Sequence, residues 1–196
     1  SEETERFAKH YVEVRRSKPV SEKEAMEIVQ QPNYFGAMMV ALRQVDGMVS
    51  GTNEISGSVL RPLFQIIKVG PRRATASSCM IMEIENLSFG ENGVLFMADC
   101  GVIPDPNVEQ LADIAVSTAQ LARQLLGTVP RVAMLSYSTK GSATHETIQK
   151  VRYATTLARE KAATLRLEAE FDGELQLDAA LVPEIAARKV PDSKVA

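Results

Sequence analysis

The side chains best suited to chemistry in this sequence lie where a strand would hand over to a helix. Ser50-Gly51-Thr52-Asn53-Glu54-Ile55-Ser56-Gly57-Ser58 mixes glycines that permit tight turns with hydroxyls that donate hydrogen bonds, and Arg61 stands one turn into the helix expected next. Arginine carries a planar fork of donors that fits a phosphate bidentately, and the N–H groups and dipole of a helix start favour the same anion. The stretch also reads as an ordinary N-capping loop with Arg61 on a solvated face, and the local pattern does not separate the two. A second stretch, Ser136-Tyr137-Ser138-Thr139-Lys140-Gly141-Ser142, holds a lysine, a glycine and four serine or threonine hydroxyls. It does not fit the pattern G-x-x-x-x-G-K-[ST], so a nucleotide-hydrolysing loop of that type is rejected. Ser138, Thr139, Lys140 and Gly141 remain candidates for an anion-binding turn, with a capped helix start as the alternative.

Other residues offer less. Arg15-Arg16, near the end of the first expected helix, reads by default as favourable charge at a helix C-terminus. His10 and His145 are too far from each other and from cysteine or carboxylate clusters to form a zinc site, so no metal is expected. A structural or surface role suits both. No G-x-S-x-G elbow occurs. Asp172-Gly173-Glu174 looks like a turn with paired carboxylates in a structural role. Met38-Met39 and Met80-Ile81-Met82 look like core.

The elements that must position these residues belong to a globular chain of 196 residues, 45% hydrophobic and 24% charged. Lys and Arg number 22 against 25 Asp and Glu, a formal charge of −3, with no long basic block. Nucleic acid is therefore not an expected partner. No apolar run approaches the ~20 residues of a membrane span, and the charged start Ser1-Glu2-Glu3-Thr4-Glu5-Arg6 reads as a helix, not a signal peptide. Cys79 and Cys100 make no C-x-x-C spacing, which suits a reducing compartment and gives no disulfide framework.

Helix signals fill the first 45 residues. Phe7, Tyr11 and Val14 keep helical spacing, Ser21-Glu22-Lys23-Glu24 is a capping box, and a third helix following Asn33 buries Phe35, Met38, Met39 and Leu42. Asp46 to Ser50 is the first strand candidate. The loop Gly51 to Ser58 and a helix with Leu60, Leu63, Ile66 and Ile67 follow, ended by Gly70-Pro71. A domain boundary is placed near residue 71. Ser78 to Ile84 and Val94 to Ala98 form an expected antiparallel hairpin. Asn107 with Gln110 caps a long helix, and Arg131 to Leu135 is the clearest strand. A helix from Thr144 to Thr164, a strand near Leu167 to Phe171 and a helix near Ala179 to Lys189 complete the pattern. Strands alternating with helices predict a three-layer α/β/α arrangement with a largely parallel sheet.

Taken in order, Asp46-Gly47-Met48-Val49-Ser50-Gly51, Leu60-Arg61-Pro62, Arg131 to Ala143, and Asp172-Gly173-Glu174-Leu175-Gln176-Leu177-Asp178-Ala179-Ala180 resemble the phosphate acetyltransferase (phosphotransacetylase) family. Asp99 and the run Pro104 to Gln110 are similar to its acidic turn and following helix start. The resemblance implies transfer of an acetyl group between coenzyme A and inorganic phosphate by a cytoplasmic homodimer. It implies a two-domain α/β enzyme with its site in the cleft, no tightly bound cofactor, and coenzyme A or acetyl-CoA as substrate. Arg61 and Arg15 match family arginines implicated in coenzyme A or phosphate binding, with Ser50, Gly51, Ser56 and Ser58 lining the same loop.

Two departures accompany the match. Where relatives usually carry a His followed by Thr or Ser, this chain has Glu54-Ile55-Ser56, a carboxylate beside an anion site that bears on acyl or phosphate preference. The family's Ser-Arg-Gly run and catalytic Asp have no match before Ala196, so no catalytic residue is assigned in this chain. It is expected to be the central part of a longer parent, with 1–71 part of a first α/β domain and 72–196 a nearly complete second. The fragment alone is expected to be inactive. Phosphate butyryltransferase activity and a non-catalytic acetyl-CoA-binding regulatory module are the competing functions.

Overall fold

Helix α1 (Glu2–Val14) starts where the Ser1 hydroxyl accepts from the Thr4 N–H at 3.3 Å, with Glu2, Glu3 and Glu5 in the first turn, where the helix dipole favours them. The computed structural model describes residues 1–67 and 75–196, and the chain divides into two units, Ser1–Gly70 and Pro71–Ala196. In the first, Ser21 and Glu24 close the expected capping box on α2 (Glu22–Ile28). Helix α3 (Pro32–Ala41) begins one residue before Asn33, because Pro32 suits a first turn that needs no N–H donor. Phe7, Tyr11, Val29, Met38 and Ile66 bury together as the core of this unit. The rings of Phe7 and Phe35 lie 4.8 Å apart.

Asp46 to Ser50 is not a strand. No strand is present among the described residues of this unit, so a lone extended segment there would leave both edges unpaired, and Val49 is fully exposed. The loop is also shorter than expected, since α4 (Ser56–Ile66) begins at Ser56, and it ends at Ile66 with Ile67 as cap. The expected stop at Gly70-Pro71 lies outside the described residues.

The second unit opens with the hairpin of β1 (Met80–Glu83) and β2 (Val94–Met97), antiparallel with Met80 opposite Met97. Helix α5 (Val108–Leu126) carries the Asn107–Gln110 capping box and ends on Gly127 in the left-handed conformation. Strand β3 (Arg131–Leu135) occupies the expected residues and pairs in parallel with β4 (Glu170–Leu175) through the crossover helix α6 (Glu146–Thr164).

Strand β4 sits later than expected, and Asp172-Gly173-Glu174 is strand, not turn. A glycine is needed at 173 for packing: a Cβ there would lie 2.6 Å from Met134 Cβ and 2.8 Å from Thr155 Oγ1. The final expected helix is two, α7 (Leu177–Leu181) and α8 (Pro183–Lys189), because Pro183 cannot donate to the helix before it and opens the next.

Val132, Met134 and Phe171 pack against α5 and α6, whereas Ala133 and Leu175 pack with Ala186 and Val190 of the α7–α8 end. Alternate residues of β3 therefore face opposite helical layers, the α/β/α arrangement. The parallel sheet within the described residues has two strands, and the hairpin is a separate antiparallel pair.

Candidate functional site

Pro62, inside α4, has no N–H to give the Ser58 carbonyl four residues back. That carbonyl instead accepts from Asn33 Nδ2 at 3.4 Å, and Asn33 Oδ1 accepts from the Ser50 hydroxyl at 2.7 Å. Asn33 thus ties the Ser50-Gly51 end of the loop to the first turn of α4. Its role was missed in the sequence, where the available signal was the proline that frees one carbonyl of an otherwise regular helix.

Across this loop Ser50, Gly51 and Ser56 are exposed and Ser58 is half-buried. The Ser58 hydroxyl donates to Glu54 Oε2 at 2.6 Å. A carboxylate just before a helix start is favoured by the helix dipole, which explains how Glu54 is accommodated where an anion site was expected. Arg61 is exposed in the second turn of α4, with no hydrogen-bond or ion-pair partner among the described residues.

Arg15 caps α1, its N–H bonded to the Tyr11 carbonyl at 3.0 Å. Its Nε is buried and meets no acceptor among the described residues. A buried unsatisfied donor costs about 1–3 kcal/mol. Burial pushes the Tyr11 hydroxyl upward, Tyr34 adds to this, and the Arg15 guanidinium works against it. The hydroxyls of Tyr11 and Tyr34 both donate to Gln65 Oε1, at 2.7 and 3.0 Å, pinning α1 and α3 to α4. Arg15 and Arg61 each lie four residues, one helical turn, from this tie.

The loop Ser136 to Ser142 of the second unit is arranged differently, because the donors of Ser138 to Gly141 already have acceptors. Ser138 Oγ donates to Glu174 Oε1 at 3.1 Å, the Gly141 N–H to the same oxygen at 2.7 Å, and the Lys140 N–H to the Glu174 carbonyl at 3.2 Å. The Thr139 N–H bonds Ser142 Oγ at 3.0 Å, Thr139 Oγ1 bonds Gln176 at 3.1 Å, and Lys140 Nζ pairs with Asp172. Gly141 holds φ +89, a conformation that favours glycine.

The anion at the centre of this turn is the Glu174 carboxylate, 1% exposed and gripped by Arg152 at 2.7 and 3.0 Å. Burial works to raise its pKa, but Arg152, the Gly141 N–H and Ser138 hold it down to about 2. Asp172, 8% exposed, is held between Lys140, Arg159 and Ser193.

The remaining candidates are structural. His145 caps α6, its Nδ1 accepting from the Thr147 N–H at 3.2 Å, and His10 lies 3.9 Å from Glu13. Asp99 accepts from Ser78 and from the N–H groups of Gly101, Val102 and Ile103, which organises its turn. Among the described residues no cluster of His, Cys, Asp or Glu is arranged to hold a metal ion, and no helix is long and apolar enough to cross a membrane.

Comparison with known proteins gives this geometry a context. The profile of the family described as phosphate acetyl/butaryl transferase matches residues 1–196. The chain is 50% identical over its whole length to a phosphate acetyltransferase of Thermoanaerobacterium thermosaccharolyticum, of which it covers 58%. It is 43% identical to that of Acetivibrio thermocellus, again covering 100% of this chain and 58% of the relative. A phosphotransacetylase structure from Streptococcus pyogenes superposes with a TM-score of 0.85 at 41% identity, over 98% of this chain and 56% of that one. The chain thus spans a little over half the length of the relatives it matches, and it belongs to the phosphate acetyl/butaryl transferase family.

Proposed function

We propose that the full-length protein moves an acetyl group between coenzyme A and inorganic phosphate, and that Arg61, with Arg15, holds a phosphate of coenzyme A or the reacting phosphate. The observation that carries this reading is an exposed arginine near a helix start with no internal acceptor, in a chain 50% identical throughout to a phosphate acetyltransferase. In the direction of thioester synthesis, the coenzyme A thiolate attacks the carbonyl of acetyl phosphate. A C–S bond forms, the C–O bond to phosphate breaks, and the departing phosphate carries the charge. Arginine and loop donors stabilise that charge where it develops. Ser50, Gly51, Ser56 and Ser58 line the same loop and orient the anion. The Ser138–Gly141 turn, whose donors hold Glu174, supports the second unit. Its two units are read as part of a first domain and most of a second, and a cytoplasmic homodimer is the form the family resemblance favours.

The chemical groups that take the thiol proton are proposed to lie in the polypeptide beyond Ala196. The 196-residue chain by itself should therefore give no measurable thioester from acetyl phosphate and coenzyme A, since positioning alone does not replace a base worth about 10²–10⁴-fold. Turnover by this chain approaching that of the full-length protein would overturn the assignment. Phosphate-dependent loss of acetyl-CoA with the full-length protein tests the activity itself. Binding of acetyl-CoA without turnover would show a regulatory module instead.

A further inference from the structure

Glu54 is an exposed carboxylate in the loop that should receive an anion. The Ser58 hydroxyl lies 2.6 Å from Glu54 Oε2 and 2.8 Å from the Ile55 carbonyl, so its one proton is already claimed by internal acceptors. That hydroxyl belongs to the first turn of α4, and the cap residue Ile55 supplies no side-chain acceptor to the turn. The N–H groups of an uncapped first turn carry positive charge. A carboxylate bonded there is held by the same charge that draws a phosphate.

Arg61 belongs to the same neighbourhood. It follows Ser58 by three residues and Gly57 by four, the spacings at which side chains on a helix are neighbours, and helical side chains lean toward the N-terminus. Ser58, and with it Glu54, is therefore a surface neighbour of Arg61. Yet Glu54 gives its oxygen to Ser58 and makes no ion pair with Arg61 among the described residues. The arginine fork stays open while the charge beside it is negative. A phosphate that enters meets Glu54 as a like charge and must win the Ser58 hydroxyl from it.

We propose that Glu54 is a specificity-determining residue of this site, an internal anion that competes with the substrate phosphate for the first turn of α4 and so sets the affinity for the phosphate-bearing substrate. The proposal rests on the assignment of Arg61 and its loop to phosphate binding. Glu54 acts on the charge of the phosphate and not on the acyl chain, because a Coulomb repulsion does not sense an added methylene. Such competition raises KM and leaves the chemical step alone.

Glu54→Gln in the full-length protein removes the charge and keeps an oxygen for Ser58. Steady-state kinetics should show a KM about three- to tenfold lower for the substrate whose kinetics Arg61→Ala impairs, the effect of one like charge near a protein surface, with kcat little changed. The gain should shrink at high ionic strength, because exposed charges are screened. The ratio of kcat/KM for acetyl phosphate to that for propionyl phosphate should keep its original value. An unchanged or raised KM with a lower Tm would reduce Glu54 to a favourable charge at a helix start, and a changed ratio would place it against the acyl chain. Either result overturns the proposal. If Arg61→Ala impairs catalysis while Glu54→Gln leaves KM unchanged, the competition alone fails. If Arg61→Ala changes neither substrate's kinetics, the assignment of the site fails and the competition falls with it.

Discussion

The candidate anion-binding cations of the two units, Arg15 and Arg61 in the first and Lys140 in the second, are treated in opposite ways. In the second unit Lys140, Arg152, Arg159, Lys161 and Lys189 all reach a carboxylate, and the turn that could have held an external anion closes on Glu174. In the first, Arg15 and Arg61 have no carboxylate partner among the described residues, although Glu54 stands near the start of the helix that carries Arg61 and instead takes the Ser58 hydroxyl. A paired cation is spent on architecture, whereas an unpaired one retains its attraction for a ligand phosphate. Similar loop compositions thus reach different ends, and the presence of an internal acceptor distinguishes them.

The largest expected effect comes from breaking a pair in the second unit. Arg152→Met leaves the buried Glu174 carboxylate with only the neutral donors Gly141 and Ser138, which should lower stability more than the other substitutions. Denaturant unfolding of the 196-residue chain measures this, and a loss below about 1 kcal/mol would place Arg152 with ordinary surface cations. Gly173→Ala should cost about 1–3 kcal/mol by the same measurement, because the added methyl meets Met134 and Thr155.

Acid sharpens the contrast. The folded pKa of Glu174 lies near 2, below its ordinary value of 4.5, so its stabilising contribution is complete above about 4.5 and disappears as pH falls toward 2. Unfolding free energy followed by tryptic susceptibility after pH jumps, or by circular dichroism, should fall across that window. In Arg152→Met the slope should shift to higher pH. The smallest effect belongs to the first unit: Arg15→Ala removes a guanidinium whose buried Nε has no acceptor, and stability should stay within about 0.5 kcal/mol or rise.

Local signals made much of the frame legible before the structure. Both capping boxes, the hairpin and β3 follow from patterns within a few residues, and the same patterns hold in the fold. Where partners distant in sequence decide, the reading failed. Asp172-Gly173-Glu174 has the composition of a turn, yet Lys140, Arg159 and Arg152 neutralise its carboxylates and close packing on Met134 demands its glycine, so it runs as strand. Asp46 to Ser50 has strand composition but, among the described residues of its unit, no strand to pair with. Arg61 and its loop were visible as residue types, but whether the cation was free could be seen only once every neighbouring carboxylate had been placed.

The account stands most directly on Arg61→Ala in the full-length protein, measured by steady-state kinetics against coenzyme A and acetyl phosphate with thermal melts alongside. Charge-assisted hydrogen bonds contribute about 1.5–3 kcal/mol each, so kcat/KM should fall about 10- to 150-fold while Tm stays nearly unchanged. Arg61→Lys should recover part of the loss, because an ammonium keeps the charge without the fork. A rise in KM for coenzyme A alone would put Arg61 on a remote phosphate, and a fall in kcat would put it on the reacting one. Unchanged kinetics with a lowered Tm would contradict the account and return Arg61 to the scaffold.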